Sequence, residues 1–231
     1  MDLIVPMAGL STRYPGDVPK YLWHTRYTEP MFQRTIDAWA NKVGSVYFAI
    51  LKEHEEQFGV SERLHARWAN IHYITIDSVL PGPAATIAHI IRTAKLSGGF
   101  VVRDIDAAFE PMIWDFALRP NSVYMCDTLW ESVTDMDAKS YATIIGNTVT
   151  QIEERPKTKP SNWFCCGGWT FESAALFLDA FERCDDKEIF VSHVINELIK
   201  RDKQFKMIPC HNYEDWGTYE AWKLTRQRLE L

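Results

Sequence analysis

Four stretches of this sequence gather residue types that could handle a phosphorylated ligand. A short apolar run at 3–6 leads into Met7, Ala8, Gly9, Leu10, Ser11, Thr12 and Arg13, with Pro19 and Lys20 a little further on. Small residues let backbone N–H groups come close to phosphate oxygens, and Arg13 and Lys20 add positive charge. Asp104 and Asp106 follow a second apolar run at 100–103. Carboxylates in that position suit a hard cation such as Mg²⁺, whose usual remaining ligands are substrate phosphates. Glu153, Glu154, Arg155 and Lys157 combine acceptors for hydroxyl groups with cations for a phosphate. Asp215 lies two residues before Gly217, a residue that lets backbone approach a ligand closely, and Thr218 follows. Taken singly, each stretch reads equally well as an ordinary turn, a solvated loop or a helix cap.

The elements that must position these residues alternate in type through the first half. Residues 3–6, 45–51, 71–76 and 100–103 are β-branched or aromatic runs that predict strands. Between them Phe32, Ile36, Trp39 and Val43 follow helical spacing behind Pro30, a second helix is expected over 53–70, and a third over 84–96. Strand–helix alternation predicts a parallel sheet flanked by helices. In the second half Gly146-Asn147 separates two runs at 141–145 and 148–152, which predicts an antiparallel hairpin. A strand at 164–171, helices near 172–183 and 188–201, a strand at 205–209 and a last helix from about residue 218 complete the expectation. The fold class expected is therefore α/β, with a mixed, mainly parallel sheet and a small hairpin. One domain over 1–231 is expected, in two halves at about 1–110 and about 111–231.

Composition narrows the partners. The 231 residues are 46% hydrophobic and 24% charged, which argues for a folded core, and a formal net charge of -6 argues against broad nucleic-acid binding. Cys126, Cys165, Cys166, Cys184 and Cys210 form no C-x-x-C pair, so neither a disulfide framework nor a zinc site is expected, and a reducing cytoplasm suits them. No leader peptide and no membrane partner are expected. His193 reads as structural, and Trp163 and Trp169 follow the charged stretch at 153–157.

In order, the segments at 6–13 with Pro19-Lys20, 81–86 (P-G-P-A-A-T), 104–106 (D-I-D), 153–157 (E-E-R-P-K) with 166–169 (C-G-G-W), and 215–218 (D-W-G-T) resemble the sugar-phosphate nucleotidyltransferase family. That family includes glucose-1-phosphate thymidylyltransferase and cytidylyltransferase-like pyrophosphorylases, and the resemblance is to its catalytic core alone. It implies a Rossmann-like fold and transfer of a nucleotidyl group from an NTP (CTP, UTP or dTTP) to a phosphorylated acceptor such as a sugar 1-phosphate. By the same resemblance Arg13 and Lys20 are catalytic, Met7 to Thr12 with Gly82 and Ala84 bind the nucleotide, and Glu154, Arg155, Lys157 and Gly167 bind the acceptor. Asp104, Asp106 and Asp215 would hold Mg²⁺, with Asp104 the closer positional match. Arg155 stands where the family has Lys, a change of geometry at constant charge. Three other readings stay open: a cytidylyltransferase acting on phosphocholine or another non-sugar phosphate, a D-x-D glycosyltransferase, and a non-catalytic nucleotide sensor. A homo-oligomer is open as well.

Overall fold

The computed structural model describes residues 1–26, 28–129 and 135–230, with backbone alone for Arg26 and Glu230. The strands are β1 (Asp2–Pro6), β2 (His24–Arg26), β3 (Glu29–Pro30), β4 (Val46–Leu51), β5 (Ile71–Ile76), β6 (Phe100–Arg103), β7 (Ala107–Pro111), β8 (Ser122–Asp127), β9 (Ser140–Ile145), β10 (Thr148–Glu154), β11 (Trp163–Phe171) and β12 (Phe205–Asp215). The helices are α1 (Met31–Ala40), α2 (Lys52–Phe58), α3 (Val60–His65), α4 (Pro83–Ala94), α5 (Trp114–Ala117), α6 (Ala174–Phe181), α7 (Val191–Ile199) and α8 (Tyr219–Glu230).

One ten-stranded mixed sheet organises the chain, in the order β5-β4-β1-β6-β11-β8-β12-β10-β9 with β7 paired to β12. Strands β5, β4, β1 and β6 run parallel, as helix-connected strands must, and β11 then enters antiparallel beside β6. β9 and β10 form the expected hairpin around Gly146, whose φ is 63°. Alternation along β1 divides the core into two layers: Ile4 packs with the apolar faces of α4, α6 and α7, while Leu3 and Val5 pack with those of α1 and α3. The α/β class and the mixed sheet are therefore as the sequence implies. Among the described residues no helix is long and apolar enough to cross a membrane.

Three differences from the sequence reading have local causes. The helix expected over 53–70 is two helices, because Gly59 takes a left-handed conformation (φ 56°, ψ 47°) and ends α2 before α3 begins. The strand expected at 205–209 continues to Asp215, since β7 supplies antiparallel partners for its second part, Asp215 opposite Ala107. β7 and β8 carry no period-two pattern to announce them, being buried at almost every position.

The turn before α4 shows how tightly the second half is fastened to the first. Gly82 has φ 94°, the Ile189 amide donates to the Pro81 carbonyl at 3.0 Å, and the Ala84 amide donates to the Ile189 carbonyl at 3.1 Å. A Cβ at Gly82 would lie 2.5 Å from the Ile189 carbonyl oxygen. We expect Gly82→Ala to destabilise the fold by about 2 kcal/mol or more, from backbone strain and overpacking together. Chemical denaturation checks this, and an unchanged midpoint would contradict the geometry.

Candidate active site

A cavity of about 430 Å³ opens at the carboxyl ends of β1 and β6, where ligands bind in open α/β sheets. Of the residues singled out by sequence, Met7, Ala8, Gly9, Arg13, Lys20, Gly82, Asp104, Asp106, Glu154, Arg155, Gly167 and Asp215 line it. Leu10, Ser11, Thr12, Ala84 and Lys157 do not line it; Leu10 is exposed and Ala84 fully buried. Trp169 forms part of the wall, whereas Trp163 does not.

The first loop is shaped by its own side chains. Ser11 adopts a left-handed conformation (φ 56°), and its hydroxyl accepts a 3.0 Å hydrogen bond from the Lys20 amide, folding the loop back on itself. Tyr14 donates to the Trp216 carbonyl at 2.6 Å, and the Tyr219 amide donates to the Arg13 carbonyl at 3.3 Å. The first loop is thereby tied to the start of α8, and the two ends of the chain meet at the cavity. Burial and nearby Asp106 and Asp215 push the Tyr14 phenol up, so it stays a neutral donor.

Two ion pairs dominate the electrostatics. Lys20 Nζ lies 2.5 Å from Asp106 Oδ2, and Lys139 Nζ lies 2.7 Å from Asp215 Oδ2. Lys139 also donates to the Tyr213 hydroxyl at 2.9 Å. Burial pushes the Asp106 carboxyl up, but the charge and hydrogen bond of Lys20, with Arg13 and Lys139, hold it below its ordinary value. Asp104 goes the other way, raised by burial and by the charge of Asp106 against the opposing pull of Arg103 and Lys20. The two carboxyls of the D-x-D segment are thus driven apart, one held ionised and the other favouring its proton.

The floor is fixed by Arg103, a side chain with no exposure to solvent. Its guanidinium donates to the carbonyls of Gly167 (3.2 Å) and Ala107 (3.1 Å) and stands 3.6 Å from the Phe109 ring. Gly167 has φ 88° at an irregularity in β11, and its carbonyl also accepts from the Asp104 amide at 2.8 Å. A Cβ there would sit 3.1 Å from Asp104 Oδ2, so glycine lets β11 close against this carboxyl. On the acceptor side, Glu154 ends β10 and accepts hydrogen bonds from the hydroxyls of Ser140 (2.7 Å) and Ser192. Arg155 follows with φ 47° and is exposed at the rim.

Lys139, Ser192, Tyr213 and Arg103 were not marked as site residues by sequence. Nothing around Lys139 forms a motif, and Arg103 reads as the polar end of a strand. Lys139, Ser192 and Tyr213 reach the cavity only through the packing of distant strands and of α7, and Arg103 lies behind its wall, bonded to Gly167 and Ala107.

Among the described residues, no group of three or more His, Cys, Asp or Glu side chains is arranged to hold a metal ion. Asp106 and Asp215 nonetheless come together: a Cβ on Gly217 would lie 3.4 Å from Asp215 Oδ1 and 3.9 Å from Asp106 Oδ2. An all-oxygen pair of carboxylates fits Mg²⁺, which takes one or two carboxylates and fills its remaining positions with water and phosphate oxygens.

With this geometry in place, the fold can be compared with solved structures. It is similar to that of a nucleoside-diphosphate-sugar pyrophosphorylase from Vibrio cholerae RC9, at TM-score 0.78 and 17% identity over 97% of this chain and 99% of that one. It is also similar to the inositol-1-phosphate CTP transferase from T. maritima, at TM-score 0.79 and 15% identity over 97% and 94% of the two chains. A UDP-glucose pyrophosphorylase complexed with UDP-glucose matches at TM-score 0.75 and 13% identity over 99% and 98%. The class of architecture is therefore that of nucleotide-sugar pyrophosphorylases and related nucleotidyltransferases. No protein-family profile and no curated protein sequence matches the chain.

The Lys20–Asp106 pair is only 15% and 23% exposed at its side chains, so removing either partner strands a charge. In the ligand-free protein we expect Lys20→Ala and Asp106→Ala each to be more disruptive than additivity with the double variant allows. A double-mutant cycle by denaturation should give a coupling of roughly 1–3 kcal/mol; a coupling near zero would dissolve the pair.

Proposed function

We propose that this chain is a nucleotidyltransferase that transfers a nucleotidyl group from an NTP to a phosphorylated small molecule, a sugar 1-phosphate in the first instance, releasing pyrophosphate. The observation that carries the reading is the convergence, in one cavity, of Arg13 and Lys20 from the start of the chain with Asp106 and Asp215 from its middle and end. The similarity in fold to three nucleotidyltransferases supports it. A D-x-D glycosyltransferase would leave the loop from Gly9 to Lys20 without a task, and the joint presence of Arg13, Lys20, Asp104 and Asp215 favours catalysis over nucleotide sensing.

In the proposed reaction an oxygen of the acceptor phosphate attacks the α-phosphorus in line. The bond from that phosphorus to the bridging oxygen of the β-phosphate breaks, and pyrophosphate leaves with the electron pair. No covalent enzyme intermediate is required; the protein supplies position and charge. Residues 1–110 would serve mainly the nucleotide and residues 111–231 mainly the acceptor. The exposed amides around Gly9 and the cation of Arg13 would hold the β- and γ-phosphates, and Lys20 the charge developing at the α-phosphate. Glu154, already an acceptor for two serine hydroxyls, would receive hydroxyl groups of the acceptor, with Gly167 lining the same cavity. Arg155 would add positive potential at the rim, and Lys157, which does not line the cavity, would act only at longer range. Mg²⁺, held by Asp106 and Asp215, with Asp104 beneath, would bring Lewis acidity to the phosphates when bound.

The acceptor could also be an alcohol phosphate other than a sugar, a reading favoured by the likeness to the inositol-1-phosphate CTP transferase. A matrix of CTP, UTP, dTTP, ATP and GTP against sugar 1-phosphates, inositol 1-phosphate and phosphocholine, scored by pyrophosphate release with Mg²⁺, tests both. At least one pair should turn over; silence across the matrix would remove the proposal. On the productive pair we expect Lys20→Ala to lower kcat by about 10²–10³-fold, the range for losing one electrostatic donor. Wild-type turnover by a folded Lys20→Ala protein would remove Lys20 from the chemistry.

A further inference from the structure

Lys139 is the strongest feature of the cavity that no motif accounts for. Its side chain is 14% exposed and that of Asp215 only 4%, so the 2.7 Å pair between them is largely shielded from water. Such a pair is a counter-ion arrangement with an obligation on both sides: whichever partner is lost, the other is left charged in a poorly solvated place. Asp215 is also the carboxylate that faces Asp106 across Gly217. Lys139 holds Oδ2 of that carboxylate, while Oδ1 faces Gly217 and accepts its amide at 3.1 Å, so a divalent cation arriving there must compete with the ammonium for the charge of one carboxylate. Once displaced, that ammonium has to find another anion inside the cavity. Lys139 immediately precedes Ser140, which hydrogen-bonds Glu154, and its carbonyl accepts from the Arg155 amide at 3.3 Å. The freed cation thus stands at the acceptor end of the cavity, deeper than the exposed Arg155.

We infer that Lys139 is a built-in counter-ion of Asp215, exchanged for a divalent metal on binding, and that it then becomes the cation for the acceptor's phosphate. This rests on the nucleotidyl-transfer reading for the identity of the acceptor, but not for the exchange itself. The exchange would couple metal and phosphate binding: neither ligand alone fully replaces the internal pair, while together they neutralise both of its halves.

The test uses binding of Mn²⁺ alone, followed by electron paramagnetic resonance, and of inorganic phosphate to the Mg²⁺-saturated protein, followed by calorimetry. Lys139→Met should bind Mn²⁺ about tenfold more tightly than wild type, one of the two competing ammonium groups being gone, and bind phosphate at least tenfold more weakly. Lys139→Arg, which keeps the charge, should stay near wild type in both. Unchanged or weaker Mn²⁺ binding by a folded Lys139→Met protein would overturn the exchange, and unchanged phosphate binding would overturn the role at the acceptor. Asp215→Asn supplies an independent arm, because it frees Lys139 without metal and should raise metal-free phosphate affinity; no gain there would also overturn the inference. If wild type releases pyrophosphate from no substrate pair while these shifts occur, the nucleotidyl-transfer reading fails and the counter-ion exchange stands.

Discussion

A carboxylate withdrawn from water must be neutralised, and this cavity meets that demand with two lysines brought from distant parts of the chain. Lys20 comes from the loop after β1 and Lys139 from the entry to β9, and they close on Asp106 and Asp215. Those two carboxylates stand together because Trp216 donates its amide to the Asp106 carbonyl at 2.9 Å, holding the end of β12 against the turn after β6. The two pairs are self-neutral in charge when no ligand is present, and on the proposed reading they would offer a divalent ion and a phosphorylated anion the partners that the lysines and carboxylates now give each other. On that reading, electrostatic catalysis would depend on charges set in place before the substrate arrives, since no reorganisation is then needed as the transition state forms.

The second requirement is rigidity beneath these charges. Arg103 is buried with its guanidinium between aromatic rings and two backbone carbonyls, one in β11 and one at the start of β7. Burial pushes its pKa down, and the two neighbours that most oppose this, Cys166 and Asp104, both line the cavity. The side chain therefore ties together both flanks of the segment carrying Asp104 and Asp106. Gly167 completes the joint, because a side chain at its φ of 88° would be strained and would press on Asp104.

Much of the frame was legible in the residues. The parallel strands of the first half appear as short apolar runs between helical patterns, and Gly146-Asn147 marks its hairpin. What escaped was pattern-free: β8 is buried on both faces and so shows no alternation, and Gly59 breaks a helix through a backbone conformation that periodicity does not encode. The same division holds at the cavity. Arg13, Lys20, Asp104, Asp106, Glu154 and Asp215 stand out as clusters of suitable chemistry close to strand ends, whereas Lys139 sits in no cluster.

From sequence alone came the kinds of group available, their order along the chain and the α/β alternation that sends loops to one edge of a sheet. Those are local properties, set by side-chain chemistry and by periodicity over a few residues. Tertiary structure decided which groups meet: that Lys20 pairs with Asp106 rather than remaining a solvated cation, that Asp215 finds Lys139, and that Asp104 rests under Gly167. The reason is that each contact joins residues dozens of positions apart across strands β1, β6, β9, β11 and β12. Their proximity depends on strand order and register in the folded sheet, which no short window of sequence contains.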